Sequence, residues 1–172
     1  MTADTQTRTT SARRPRLDPV TTLAWGIFVV TMIIAVAGPW LATHDPAMFS
    51  ADMNAPPGDG HLLGTDDGGR DVFSRLMVGT GLSLFYGACA ALLALALGAG
   101  TALLAMPFGK LVEYPLFAIV DLVRALPGIL FALAFIVAFE PGAFSVVLAL
   151  GVSFAPNFAI ITRATYQQQM AQ

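Results

Sequence analysis

Three groups of residues have types and spacing that could do chemistry. The first is the acid-rich run Asp66-Asp67-Gly68-Gly69-Arg70-Asp71, which superficially suggests a calcium loop. It lacks the alternating acids and the terminal Glu of an EF-hand, and Arg70 places a cation among the would-be ligands. The second is His44 and His61, seventeen residues apart in a stretch without other soft ligands. They read as solvated or structural histidines, so no metal site is expected. The third is Asp121 and Arg124, which fall inside an apolar segment. Their i,i+3 spacing puts them on one helix face, where they can partly neutralise each other. A self-paired bridge near one end of a span is the expectation, and a polar lining of a translocation path is the alternative. A proton relay is disfavoured, because an acid beside Arg is held ionised.

Other chemistries have no residues to carry them. There is no G-x-x-x-x-G-K-[ST], G-x-S-x-G, H-E-x-x-H or C-x-x-C. The lone Cys89 allows no internal disulfide. No catalytic residue and no cofactor are expected. Hydrophobic residues make up 56% of the 172 and charged residues 12%, against about 45–50% and 25% in a soluble domain. Mean hydropathy is +0.70. A formal net charge of -2 leaves no footprint for nucleic acid. The class implied is an all-α integral membrane protein.

Missing charges locate the elements. No charge falls between Asp18 and His44, between Arg75 and Lys110, or between Glu140 and Arg163, and Tyr114–Phe139 holds only Asp121 and Arg124. A bilayer core about 30 Å thick takes ~20 helical residues. Four transmembrane helices are therefore expected, over about 21–42, 82–105, 115–139 and 143–162, with Pro127 and Pro156 kinking the last two. These runs lack period-2 alternation and are too long for barrel strands. In domain terms, 1–18 is a disordered tail, 19–43 a first transmembrane helix, 44–81 an external loop with a short interfacial helix from Asp71 onward, and 82–172 a three-helix unit. Arg8, Arg13, Arg14, Arg16, Lys110 and Arg163 share one side if the spans alternate, and that side is expected to be cytoplasmic. The N-terminus also resembles a signal peptide through Ala35-Val36-Ala37. The apolar run continues through Trp40 and Leu41, however, and Pro39 falls just after that cut, which favours a span. Within 82–105, Ala90, Ala94, Gly98 and Ala102 make one stripe of small residues, and Ser83, Gly87 and Ala91 make a second. Such stripes let helices approach closely in lipid.

Residues 61–76, His61-Leu-Leu-Gly-Thr-Asp-Asp-Gly-Gly-Arg-Asp-Val-Phe-Ser-Arg-Leu, resemble the H-P-L-G-T-D-x-x-G-R-D-v-x-S-R-L stretch of a known family. That family is the inner-membrane permease subunits of dipeptide, oligopeptide and nickel ABC importers, in particular the second permease of each pair. Asp121–Pro127 resembles its R-x-x-D-x-x-x-a-x-P, and 158–163 its y-a-R-x-x-R. Departures are Leu62 for a proline, Gly68 for a larger residue, Ala118 for an Arg, and Ile160 for the first Arg of the last motif. The resemblance covers roughly residues 15–168. It implies an external motif of Gly64, Thr65, Asp66, Gly69, Arg70, Asp71, Ser74 and Arg75, ordered by charge-assisted bonds or contacting a partner. It also implies that Arg163 stands just before a coupling loop. In the family that loop and two more spans follow, so the chain reads as the first four of six spans, through truncation, a split subunit or a partial record. The partners implied are a second permease subunit, two cytoplasmic ATPase subunits, an external solute-binding protein and the bilayer of a bacterial inner membrane. The chain would then supply path walls, not bond chemistry. An ion-coupled carrier or channel subunit using Asp121, or a non-transporting scaffold, are the alternatives.

Overall fold

A computed structural model describes residues 18–58 and 60–170. The tail expected to be disordered falls almost wholly on 1–17, and it lies outside the described residues, as does Asp59. Five α-helices follow in order: α1 (Pro19–Leu41), α2 (Val72–Ala105), α3 (Lys110–Ala125), α4 (Gly128–Phe139) and α5 (Ala143–Met170). A 3-10 turn, Met106–Phe108, ends α2. Among the described residues there are isolated bridges but no strands. The all-α membrane class expected from composition holds.

Three helix starts have a local cause. Pro19 opens α1, where its missing N–H costs nothing and its fixed φ suits the first turn. The Asp71 side chain caps α2 by accepting from the Ser74 N–H. Gly109, at φ +71°, turns the chain from the 3-10 turn into α3.

Three helices are long and apolar enough to cross a membrane alone: α1, α2 and α5. The expected span over 115–139 is different. It is broken into α3 and α4, which meet at 91°. Pro127 disfavours a helical Leu126, which is extended at φ -85° and ψ 135°, and it offers no N–H to continue the ladder. At 1.5 Å per residue, α4 is about 18 Å long, too short to cross by itself. The pair is thus a broken span or a re-entrant loop, and the spans number three, or four if the pair counts as one. Residues 72–81 also depart from expectation. They form no separate interfacial helix but are the first turns of a continuous 34-residue α2. Helix α5 runs past 162 to Met170, and Pro156 lies within it without ending it.

The packing explains which stripe matters. Helix α2 rests chiefly on α5 and secondarily on α1. Ala90, Ala94, Gly98 and Ala102 are buried, whereas Ser83, Gly87 and Ala91 are exposed. A Cβ at Gly98 would collide with the Ala155 carbonyl of α5, and one at Gly151 would lie 2.5 Å from the Leu93 side chain. Across α1, a Cβ at Gly38 would strike the Met77 backbone and one at Gly81 would lie 2.5 Å from the Ala35 carbonyl oxygen. Lipid supplies no hydrophobic drive between helices, so these close backbone contacts do the associating. At one end Ala102, Ala105, Phe117, Val120 and Ala159 pack α3 against α2 and α5. Large side chains such as Leu23, Ile27 and Leu92 stay exposed, as lipid-facing residues do.

Gly98→Val should lower the thermal midpoint of the detergent-solubilised chain, with a loss of about 1–3 kcal/mol from overpacking. Gly87→Val, which changes helix propensity equally but meets nothing within 4 Å, should cost far less. Paired unfolding curves of the two variants make the comparison.

Candidate functional site

The segment between α1 and α2 is polar, and its backbone has to find partners outside a helix. Asp66 supplies many of them. Its Oδ1 accepts the N–H groups of Gly68 and Arg70, both at 2.9 Å. Its Oδ2 accepts Arg70 Nε at 3.0 Å and a guanidinium N–H of Arg75 from the first turn of α2. The Arg70 N–H, assisted by that of Gly68 and by the Arg70 guanidinium, outweighs desolvation and holds the Asp66 carboxyl below the usual range. Thr65 is buried; its hydroxyl accepts the Ala55 N–H at 2.9 Å and donates to the Asp52 carbonyl. Gly69 sits at φ +73°, where a Cβ would also strike the Ser50 carbonyl. Ser50 Oγ donates to the Gly69 carbonyl at 2.7 Å. Arg70 also lies over the Phe49 ring, 5.3 Å from its centroid.

The second hub is at the mouth of α2. Asp71 is 2% exposed. Its Oδ2 accepts the Ser74 N–H at 2.7 Å, and its Oδ1 lies 2.9 Å from His61 Nδ1. Burial pushes this carboxyl up, but the bonds from Ser74 and His61 and the nearby His44 outweigh it and leave it lowered. Ser74 is fully buried, and its Oγ accepts the His44 N–H at 3.0 Å. Thr65 and Asp71 face each other in an antiparallel bridge, and Val72 N–H donates to the Gly64 carbonyl at 3.1 Å. The expected motif of Gly64, Thr65, Asp66, Gly69, Arg70, Asp71, Ser74 and Arg75 is therefore one connected structure.

One expectation fails here. Asp121 and Arg124 are both exposed on α3, and no bridge joins them. Pro127 ends α3 just past Arg124, and on this separate amphipathic helix both side chains reach the surface without meeting. Arg163, expected to stand before a coupling loop, pairs with Glu113 at 2.5 Å and lies over Phe117, 4.3 Å from the ring centroid. That joins the start of α3 to α5. Glu113 was not singled out in the sequence. The available signal was that it is the sole acid between the second and third apolar runs, on the same expected side as Arg163. Ser50, Thr43 and the clustering of His44 with His61 also went unmarked, because each depends on a long-range turn.

Helices and loop together define a polytopic α-helical membrane protein carrying one ordered polar loop. No family model matches the chain. Comparison with curated proteins is more informative. The chain is 41% identical over 143 residues, 79% of its length, to the dipeptide transport system permease protein DppC of Escherichia coli, and covers 48% of that protein. It is 35% identical over 144 residues, 82% of its length, to the glutathione transport system permease protein GsiD of Pectobacterium atrosepticum, and covers 48% of it. It is 30% identical over 149 residues, 85% of its length, to the probable D,D-dipeptide transport system permease protein DdpC of Escherichia coli, and covers 49% of it. The chain is thus related to transport permeases of peptide importers, and it spans about half the length of the curated relatives it matches.

Both loop carboxyls are lowered, so the stability they add is complete above the ordinary carboxyl value of about 4 and is lost as pH falls through their lower folded values. Amide protection factors at Gly68, Arg70 and Ser74 should hold from pH 7 to about 4.5 and fall only below about 4. Asp71→Ala should cost about 0.5–2 kcal/mol as a lost cap, read as faster exchange in the first turn of α2.

Proposed function

We propose that the chain forms part of the membrane-spanning permease of a binding-protein-dependent ABC importer for small peptides. What carries this reading is the 30–41% identity to peptide and glutathione transport permeases over about four-fifths of the chain. Matches of that length necessarily include the 61–76 loop. The relatives' printed cargoes are dipeptides, a D,D-dipeptide and glutathione, which favours peptides over nickel.

In this reading a second permease subunit pairs with the chain, two cytoplasmic ATPase subunits drive it, and an external solute-binding protein delivers the cargo. The chain sits in the bacterial inner membrane with its N-terminus cytoplasmic, since Arg8, Arg13, Arg14, Arg16, Lys110 and Arg163 then share the inner face. The Asp66 and Asp71 hubs keep the external loop rigid, so that a docking protein meets a preformed surface and orders no chain on contact. Gly64, Thr65, Gly69 and Ser74 serve that rigidity; Arg70 and Arg75, held by Asp66, present the charge. Helices α2 and α5 contribute wall. The Arg163–Glu113 pair fixes the inner end of α5 to α3, on the side from which ATPase motion would arrive.

Disrupting the reading frame that encodes the chain should abolish uptake of a radiolabelled dipeptide by its source cells. Unchanged uptake would refute the assignment. In a Cys89→Ser background, Asp67→Cys should react with an impermeant maleimide on intact cells, and Lys110→Cys only after permeabilisation. The reverse pattern would overturn the orientation.

A further inference from the structure

The chain has two histidines, and the fold brings both to one place. His44 follows the end of α1 and His61 lies mid-loop, yet their ring centroids are 4.7 Å apart with planes tilted by 34°. Asp71, the cap of α2, completes the group. One ligand atom from each of the three lies within 4.8 Å of the other two. The carboxylate is buried, His61 is half-buried and His44 is exposed, so the group opens to solvent on one side.

A hydrogen-bonded clasp accounts for only part of this arrangement. His61 Nδ1 and Asp71 Oδ1, at 2.9 Å, already close the loop onto α2. His44 makes no hydrogen bond to that pair; its side chain bonds only the Thr43 hydroxyl, at 3.1 Å from Nδ1, and its ring lies against that of His61. A second imidazole nitrogen within reach of the first and of the carboxylate is a donor that the clasp does not use. We propose that His44, His61 and Asp71 form a binding site for a borderline divalent transition-metal ion of the Zn2+ type, with water in the remaining position.

The donor set selects the ion. Two imidazole nitrogens and one carboxylate oxygen suit zinc and its neighbours, whereas calcium and magnesium take oxygen ligands. The geometry needs little change. Ligands of a tetrahedral zinc, each at about 2.0–2.1 Å, stand roughly 3.3 Å from one another. The His61–Asp71 pair is already near that separation. His44, being exposed, can close the rest by side-chain rotation. The metal would replace the proton shared by His61 and Asp71. Arg70 and Arg75 do not oppose it, since both are committed to Asp66. The three ligands come from the end of α1, the loop and the start of α2. A bound ion would therefore staple the loop to both helices. The proposal stands apart from the transport reading, because binding of metal is measured without transport.

The test is calorimetric titration of zinc chloride into the untagged 172-residue chain in nanodiscs, with His44→Ala and His61→Ala alongside. The expected result is one saturable equivalent, at least a tenfold weaker affinity in each variant, and slower amide exchange across 61–71 on zinc addition. His44→Ala is the decisive variant, since the exposed His44 ring bonds only to Thr43 and its loss leaves the Asp71 cap intact. Absence of saturable binding, or unchanged affinity in His44→Ala, would overturn the proposal.

Discussion

A buried hydroxyl and a buried carboxylate at the start of α2 govern the polar half of the molecule. Ser74 and Asp71 have almost no contact with solvent, so each polar atom must be matched within the protein. Asp71 takes the Ser74 N–H, and Ser74 Oγ takes the His44 N–H from just beyond α1. Leaving either partner unmatched costs the desolvation of a buried polar group, so the end of α1, the loop and α2 are mutually fixed. The Asp66 hub then organises the turn from Thr65 to Arg70 against that fixed edge, with Arg75 reaching back from α2.

The apolar half obeys a different constraint. Inside lipid, helices gain by fitting backbones together, and only small residues permit it. Gly98 against Ala155, and Gly38 and Gly81 against Met77 and Ala35, are backbone contacts where even a methyl group has no room. They place α5 and α1 on separate faces of α2, which makes α2 the axis of the bundle. Around it the broken α3–α4 pair is attached more lightly, through Phe117 and Val120 and through the Glu113–Arg163 pair.

Much of this was legible in the sequence, and the rest was hidden for identifiable reasons. The apolar spans, the Ala90–Ala102 stripe and the 61–76 motif could be read because each is local: a charge gap, a period, a run of consecutive residues. The choice between the two small-residue stripes could not be read, since Gly87 and Gly98 differ only in what stands opposite. Pro127 was legible as a distortion, but whether it kinks or breaks a helix depends on neighbours. The convergence of His44 and His61 needed the whole loop path. The Asp121–Arg124 bridge was inferred from spacing alone, and both side chains lie exposed on α3 with no bridge between them. Glu113 found Arg163, fifty positions further along the chain.

Helix α2 measures about 51 Å at 1.5 Å per residue, whereas the hydrocarbon layer is about 30 Å thick. Roughly 20 Å of unbroken rod therefore stands clear of the acyl chains or runs obliquely through them. Because the loop is moored to its first turns by Asp71, Ser74 and Arg75, it rides on that rod like a pennant on a mast. Any lean of that rod must carry the loop and the end of α1 together, since Ser74 and Met77 hold both to its first turns.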